Sequence, residues 1–124
     1  MQTDDVVRPR VLLGNLEPMV RLGMLNVLAE DGIDVIEEEE SVVLMAGRLR
    51  PDAVVLDLLQ DSSRELGELV RAASPRTKVI LWSRDEDAME VLDPGAGTPR
   101  RFYAAVPEEL LSELSDLRMN RVQD

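Results

Sequence analysis

Arg50-Pro51-Asp52-Ala53-Val54-Val55-Leu56-Asp57 is the stretch that decides how this chain folds. Four apolar residues follow a Pro-Asp turn and end on a single carboxylate. A run that is apolar on both alternating faces suits a strand covered on both sides, as in a parallel sheet. Asp57 then stands at the carboxyl end of that strand.

Working outward, Val79-Ile80-Leu81-Trp82-Ser83 reads as a strand of the same kind. Arg10-Val11-Leu12-Leu13, closed by Gly14-Asn15, and Asp34-Val35-Ile36 are shorter ones. Phe102-Tyr103-Ala104-Ala105-Val106 is expected to be the fifth. Between them the apolar spacing becomes helical. Pro18 suits a first helical turn, Met19, Val20, Leu22, Leu25, Val27 and Leu28 follow as a broad apolar face, and Asp31-Gly32 stops the helix. Ser41 is placed to cap a helix over Val42–Leu49. Ser63 to Ala73 forms another, with Leu66, Leu69 and Val70 inward, until Ser74-Pro75 breaks it. Asp85 to Leu92 has room for two helical turns before the irregular stretch 93–99. Pro107 to about Arg121 is the last helix, with Leu110, Leu111, Leu114 and Leu117 as its stripe. Strands alternating with helices predict an α/β fold, a doubly wound five-stranded parallel sheet with right-handed crossovers. The 124 residues form one domain, 1–124, with residues 1–8 loosely ordered.

Composition narrows the chemistry. The chain has no cysteine and no histidine. Disulfide frameworks, thiolate metal sites, catalytic triads and histidine acid–base catalysis are therefore outside its repertoire. The net charge of −11 disfavours direct contact with nucleic acid or with anionic membrane. No apolar run approaches a membrane span, and no secretory leader opens the sequence, so a cytoplasmic location is expected. Glu37 to Glu40 read as a solvated strand end leading into a helix N-terminus, with a cation site as the alternative. Gly95-Ala96-Gly97 lacks the strand-to-helix context of a dinucleotide site. No enzyme activity, metal or cofactor is expected.

Ligands of an open parallel sheet bind beyond the carboxyl ends of its strands. Asn15, Leu16 and Glu17 lie there after the first strand, Asp57 after the third, and Ser83 and Arg84 after the fourth. Together with Val11-Leu12-Leu13, Glu17-Pro18-Met19-Val20-Arg21-Leu22-Gly23, Ala72-Ala73-Ser74-Pro75, Lys78 to Ser83 and Pro107-Glu108-Glu109-Leu110-Leu111, the quoted stretch makes the chain resemble a bacterial response-regulator receiver domain. The resemblance runs from about residue 10 to residue 120 and is nearest to receivers attached to LuxR-type outputs. It implies the flavodoxin-like receiver fold, with Asp57 at the phosphoacceptor position and Ser83 at the switch hydroxyl.

The same resemblance exposes substitutions. The acidic pair that holds magnesium in receivers falls on Asn15 and Leu16, and the lysine of the fifth strand falls at about Tyr103. The loop after the phosphoacceptor, Leu59-Gln60-Asp61-Ser62-Ser63, carries neither proline nor glycine. Phosphoryl transfer to a carboxylate needs cationic charge beside the incoming oxygens. Each unit charge lost near 4 Å is worth up to roughly 4 kcal/mol at an effective dielectric of about 20. Half the sum of two is around three powers of ten in metal affinity. Glu17, swung inward, is a substitute ligand the sequence offers.

Asp57 is then a structural carboxylate bonded to backbone, an ion-pair partner of Arg84, or a residual phosphoacceptor. Ser83 is a strand-end hydroxyl or a switch, Trp82 core or ligand contact, and Tyr103 bonds across the pocket or faces solvent. By this reading the chain is an atypical receiver-like signalling domain. It acts by protein contacts or homodimerisation through its first and last helices, independently of phosphorylation. A small-molecule effector in the altered pocket is the alternative.

Overall fold

The computed structural model describes residues 8–37, 40–83, 88–103, 110 and 112–114. Strands β1 (Arg10–Leu13), β2 (Asp34–Glu37), β3 (Ala53–Asp57) and β4 (Lys78–Ser83) alternate with helices α1 (Pro18–Glu30), α2 (Val42–Leu49) and α3 (Ser63–Ala73). Two more strands follow, β5 (Ala88–Leu92) and β6 (Arg100–Tyr103). Leu110 and Ser112 to Leu114 are helical.

The local reasons are visible at the helix ends. Pro18 opens α1 at a position where a missing N–H costs nothing. Gly32 closes it with φ of 78°, in the left-handed region that a residue with a Cβ resists. Ser41 caps α2, its side chain accepting from Leu44 N. The turn into β4 is tied internally: Thr77 Oγ1 donates to the Pro51 carbonyl at 2.7 Å and lies 2.6 Å from Ser74 Oγ.

The sheet has six strands in the order β2-β1-β3-β4-β5-β6. β1 to β4 are parallel, as the βαβ alternation requires. β5 pairs antiparallel with β4, and β6 antiparallel with β5. The expected all-parallel five-stranded sheet is thus corrected to a mixed six-stranded one. The helical turns expected within Asp85 to Leu92 are a strand over Ala88–Leu92, folded back on β4 so that Trp82 lies opposite Met89. The expected last strand begins at Arg100 and is one place further out. Residues 104–106 of that strand, and most of the helix expected from Pro107, lie outside the described residues.

Two apolar layers sandwich the sheet. Val11, Leu13, Val55, Ile80, Trp82, Met89 and Val91 pack with Met24 and Leu28 of α1 and with Leu110 and Leu114. On the other face Leu12, Val54, Leu56, Val79, Leu81 and Leu92 pack with Val42, Met45 and Ala46 of α2 and Val70 of α3. The inward face of α1 differs from the expected stripe: Met19, Leu22 and Val27 are exposed, as is Leu69 of α3.

At the amino end of β4, Lys78 and Glu113 are both buried and paired, Nζ to Oε1 at 3.1 Å. Arg100 forks onto Glu113 at 2.7 and 3.0 Å and onto Asp93 at 2.6 and 2.9 Å. Burial by itself would raise the Glu113 carboxyl, but hydrogen bonds from Arg100 and Lys78 hold it below its ordinary value. Asp93 is also lowered, chiefly by its hydrogen bond from Arg100. This neutral cluster of two cations and two carboxylates fastens the helical segment around Glu113 to the sheet.

Candidate functional site

The carboxyl ends of β1, β3 and β4 converge on one rim, as parallel strands must. A cleft of 270 Å³ opens there, lined by Leu16, Glu17, Val20, Asp57, Leu59, Gln60, Asp61, Trp82 and Ser83. Leu16, Glu17, Asp57 and Ser83, separated by up to 67 positions in the chain, are thereby brought together.

Asn15, beside this lining, uses both polar atoms of its side-chain amide. Its Oδ1 accepts the Asp57 backbone N–H at 2.9 Å, and its Nδ2 donates to Ser63 Oγ at 3.0 Å. One residue thus ties the end of β1 to the end of β3 and to the first turn of α3. Gly14 precedes it because the chain passes very close to β3: a Cβ there would collide with Leu56 and stand 3.2 Å from Val42. Gly14 N donates to the Val55 carbonyl at 2.9 Å, prolonging the β1–β3 ladder.

Leu16 is turned into the core among the α1-side apolar residues, only 5% exposed. It supplies neither charge nor oxygen to the rim. The loop that carries it is held by Arg21 of α1, whose Nη2 donates to the carbonyls of Gly14 at 3.0 Å and Leu16 at 3.3 Å. Sequence reasoning missed this clamp and the partnership of Asn15 with Ser63. An arginine four residues into a helix has many uses, and nothing in the sequence joins residue 15 to residue 63.

Asp57 is half-buried at the rim. Its Oδ1 accepts the Leu59 N–H at 2.9 Å, which fixes the turn after β3. That is the bond expected of a structural carboxylate at a strand end. Ser83 is buried. Arg84, the ion-pair partner in one of the three alternatives for Asp57, lies outside the described residues. Tyr103 is in β6, opposite Ala88, so that β5 separates its backbone from β4. The strand that carries Tyr103, expected as the fifth of a parallel sheet, is instead the sixth, because the β4–β5 hairpin stands between it and β4.

Trp82 sits at the inner wall of the cleft, buried, with Nε1 lacking a hydrogen-bond partner among the described residues. Among the described residues, no group of three carboxylates, histidines or cysteines is arranged to hold a metal ion. No helix among them is long and apolar enough to cross a membrane.

No known protein family matches the chain by its sequence profile, and no curated protein matches it.

Proposed function

We propose that the chain is a receiver-like signalling domain that acts by binding other proteins, a second copy of itself included, and not by a phosphorylation cycle. The observation that carries this reading is the engagement of Asn15. A side-chain amide bonded to Asp57 N and Ser63 Oγ occupies the position where receivers place a magnesium-binding acid, and Leu16 beside it is buried in the core. Glu17 and Asp61 share the cleft with Asp57, but among the described residues no three carboxylates are grouped so as to gather a divalent cation for phosphoryl transfer. The order β2-β1-β3-β4 and the two-sided helix cover agree with a receiver ancestry for residues 10–83. The β5 strand departs from it, and its hairpin replaces a helical crossover. A cytoplasmic setting in transcriptional or stress signalling goes with the same reading.

Helix α1 supports the binding role. Its outward face presents Met19 at 76% and Leu22 at 56% exposure, with Gly23, Asn26 and Val27 continuing the stripe. That stripe is free of charge over more than two turns, in a chain of which 31% is charged. A helix that is apolar on both sides belongs between two packed surfaces. Self-association through α1 is tested by sedimentation velocity across a concentration series. The wild-type chain is expected to dimerise and Leu22→Glu to remain monomeric with unchanged circular dichroism. A wild-type monomer at high concentration would remove self-association from the proposal.

A second reading, a small organic effector in the cleft, is favoured by the buried indole N–H of Trp82 next to Leu16 and Val20. Because Trp82 is the sole tryptophan, its fluorescence reports directly on that wall. A metabolite that quenches or shifts it and raises the melting temperature without metal would favour the effector. An unresponsive spectrum across a metabolite panel would count against it.

A further inference from the structure

We propose that the groove between α3 and the β5–β6 hairpin receives an acidic amphipathic helix from a partner protein. This extends the reading of the chain as a binding module, but uses a surface separate from α1. The groove exists because β5 is a strand. Alternation along β5 puts Ala88 and Glu90 on the same sheet face as Leu92, and Glu90 lies opposite Arg101 of β6. Leu92 is covered by the α2–α3 layer, but at the other end of the strand no helix among the described residues covers this face. What remains is a depression of 460 Å³, lined by Leu58, Leu59, Arg64, Ala88, Glu90 and Arg101, with Met89 and Phe102 at its border. A sheet face left open beside a packed helix has the shape that a further helix fills.

The charges choose the occupant. Glu90 is at the bottom, its side chain 10% exposed, and both guanidiniums turn to it: Arg64 from the first turn of α3 and Arg101, 3.6 Å away. The two arginine side chains stay 63% and 55% exposed at the rim. Two cations on one carboxylate leave a local excess of one positive charge in a chain whose net charge is −11. Ten guanidinium N–H donors also outnumber what two carboxylate oxygens accept, so a visiting carboxylate finds fork-shaped donors already held in place. Repulsion from carboxylates more than about 8 Å away is screened at physiological salt, whereas Asp61 and Glu65, close in the chain to Leu59 and Arg64, offset part of the attraction. Leu59, 47% exposed, and Leu58 supply the apolar wall against which the partner's leucines would rest.

The test is fluorescence anisotropy of a labelled synthetic helix, leucines along one stripe and glutamates along its edge, titrated with the full chain. Binding is expected, weakened about tenfold or more by Arg101→Gln, since a charge-assisted hydrogen bond contributes that much. Leu59→Ser should weaken it independently, and Glu90→Gln, which releases both guanidiniums, should tighten it. A peptide with glutamine in place of glutamate should bind less well. Amide shifts in the NMR spectrum should centre on Leu58, Leu59, Ala88 and Arg101. Absence of binding, indifference to Arg101→Gln, or shifts centred on α1 would overturn the proposal. Leu22→Glu, expected to abolish self-association, should leave peptide binding unchanged, so failure at the groove and failure at α1 are distinguishable.

Discussion

Removing the carboxylate of Glu113 is the sharpest test of how the sheet and the last helical segment are joined. In Glu113→Ala the Lys78 ammonium, with its side chain only 6% exposed, loses its 3.1 Å partner. Arg100 simultaneously loses both of its bonds to that carboxylate. Breaking a buried pair from one side costs about 3–5 kcal/mol, because a charge is left behind without compensation. Asp93, whose Oδ1 is 3.8 Å from Lys78 Nζ, offsets part of the loss. The lower end, about 3 kcal/mol, is therefore expected, or roughly a 10 °C fall in melting temperature for a domain of this size. Urea unfolding followed by the fluorescence of Trp82 measures it as a shift in midpoint at constant slope. Replacing Lys78 by Met together with Glu113 by Leu should recover much of the loss, since neither charge is then stranded. A loss below about 1 kcal/mol in the single variant would refute the reasoning, placing the pair among solvated surface bridges.

Three further outcomes follow from the same structure. Asn15→Leu strips the acceptor from Asp57 N and the donor from Ser63 Oγ, and should cost about 1–3 kcal/mol in the same unfolding assay. Gly14→Ala forces a methyl group into the end of the fully buried Leu56 side chain and should cost about 1–3 kcal/mol; wild-type stability would show that this side chain has room to move aside. Glu113 and Asp93 have folded-state pKa values below their ordinary ones, so their stabilisation is present above the unfolded values of about 4.3 and 3.9. It should be lost as pH falls through the lower folded values, and acid titration of Glu113→Gln should show a shallower decline.

The parallel half of the fold is legible in the sequence because its signals are redundant. Ala53 to Asp57 is apolar at every position before the carboxylate, and Pro18, Asp31-Gly32 and Ser41 punctuate the helices around it. The hairpin is not legible for a physical reason. Ala88-Met89-Glu90-Val91-Leu92 alternates apolar with polar at its centre, yet Ala, Met, Glu and Leu are all good helix formers. Five residues cannot decide between the two, and pairing with β4 settles the matter. Helix α1 carries apolar residues around most of its circumference, so its sequence could not say that Met24 and Leu28 face the sheet while Met19 and Leu22 face out. The rim residues Asn15, Leu16, Glu17, Asp57 and Ser83 were legible from strand ends alone. Their bonds were not, and neither was the ion cluster of Lys78, Asp93, Arg100 and Glu113, whose members meet only through the hairpin that the sequence conceals.

The central claim, that the rim around Asp57 no longer supports a phosphorylation switch, is tested most directly by an amide NMR titration of the chain with magnesium and beryllofluoride, a phosphoryl mimic. An unchanged spectrum at millimolar magnesium is predicted, with the Asp57 and Leu59 amides still held by Asn15 and by the Asp57 carboxylate. Saturable shifts spreading from Asp57 and Ser83 into β5 and β6 would contradict it and restore a phosphoacceptor.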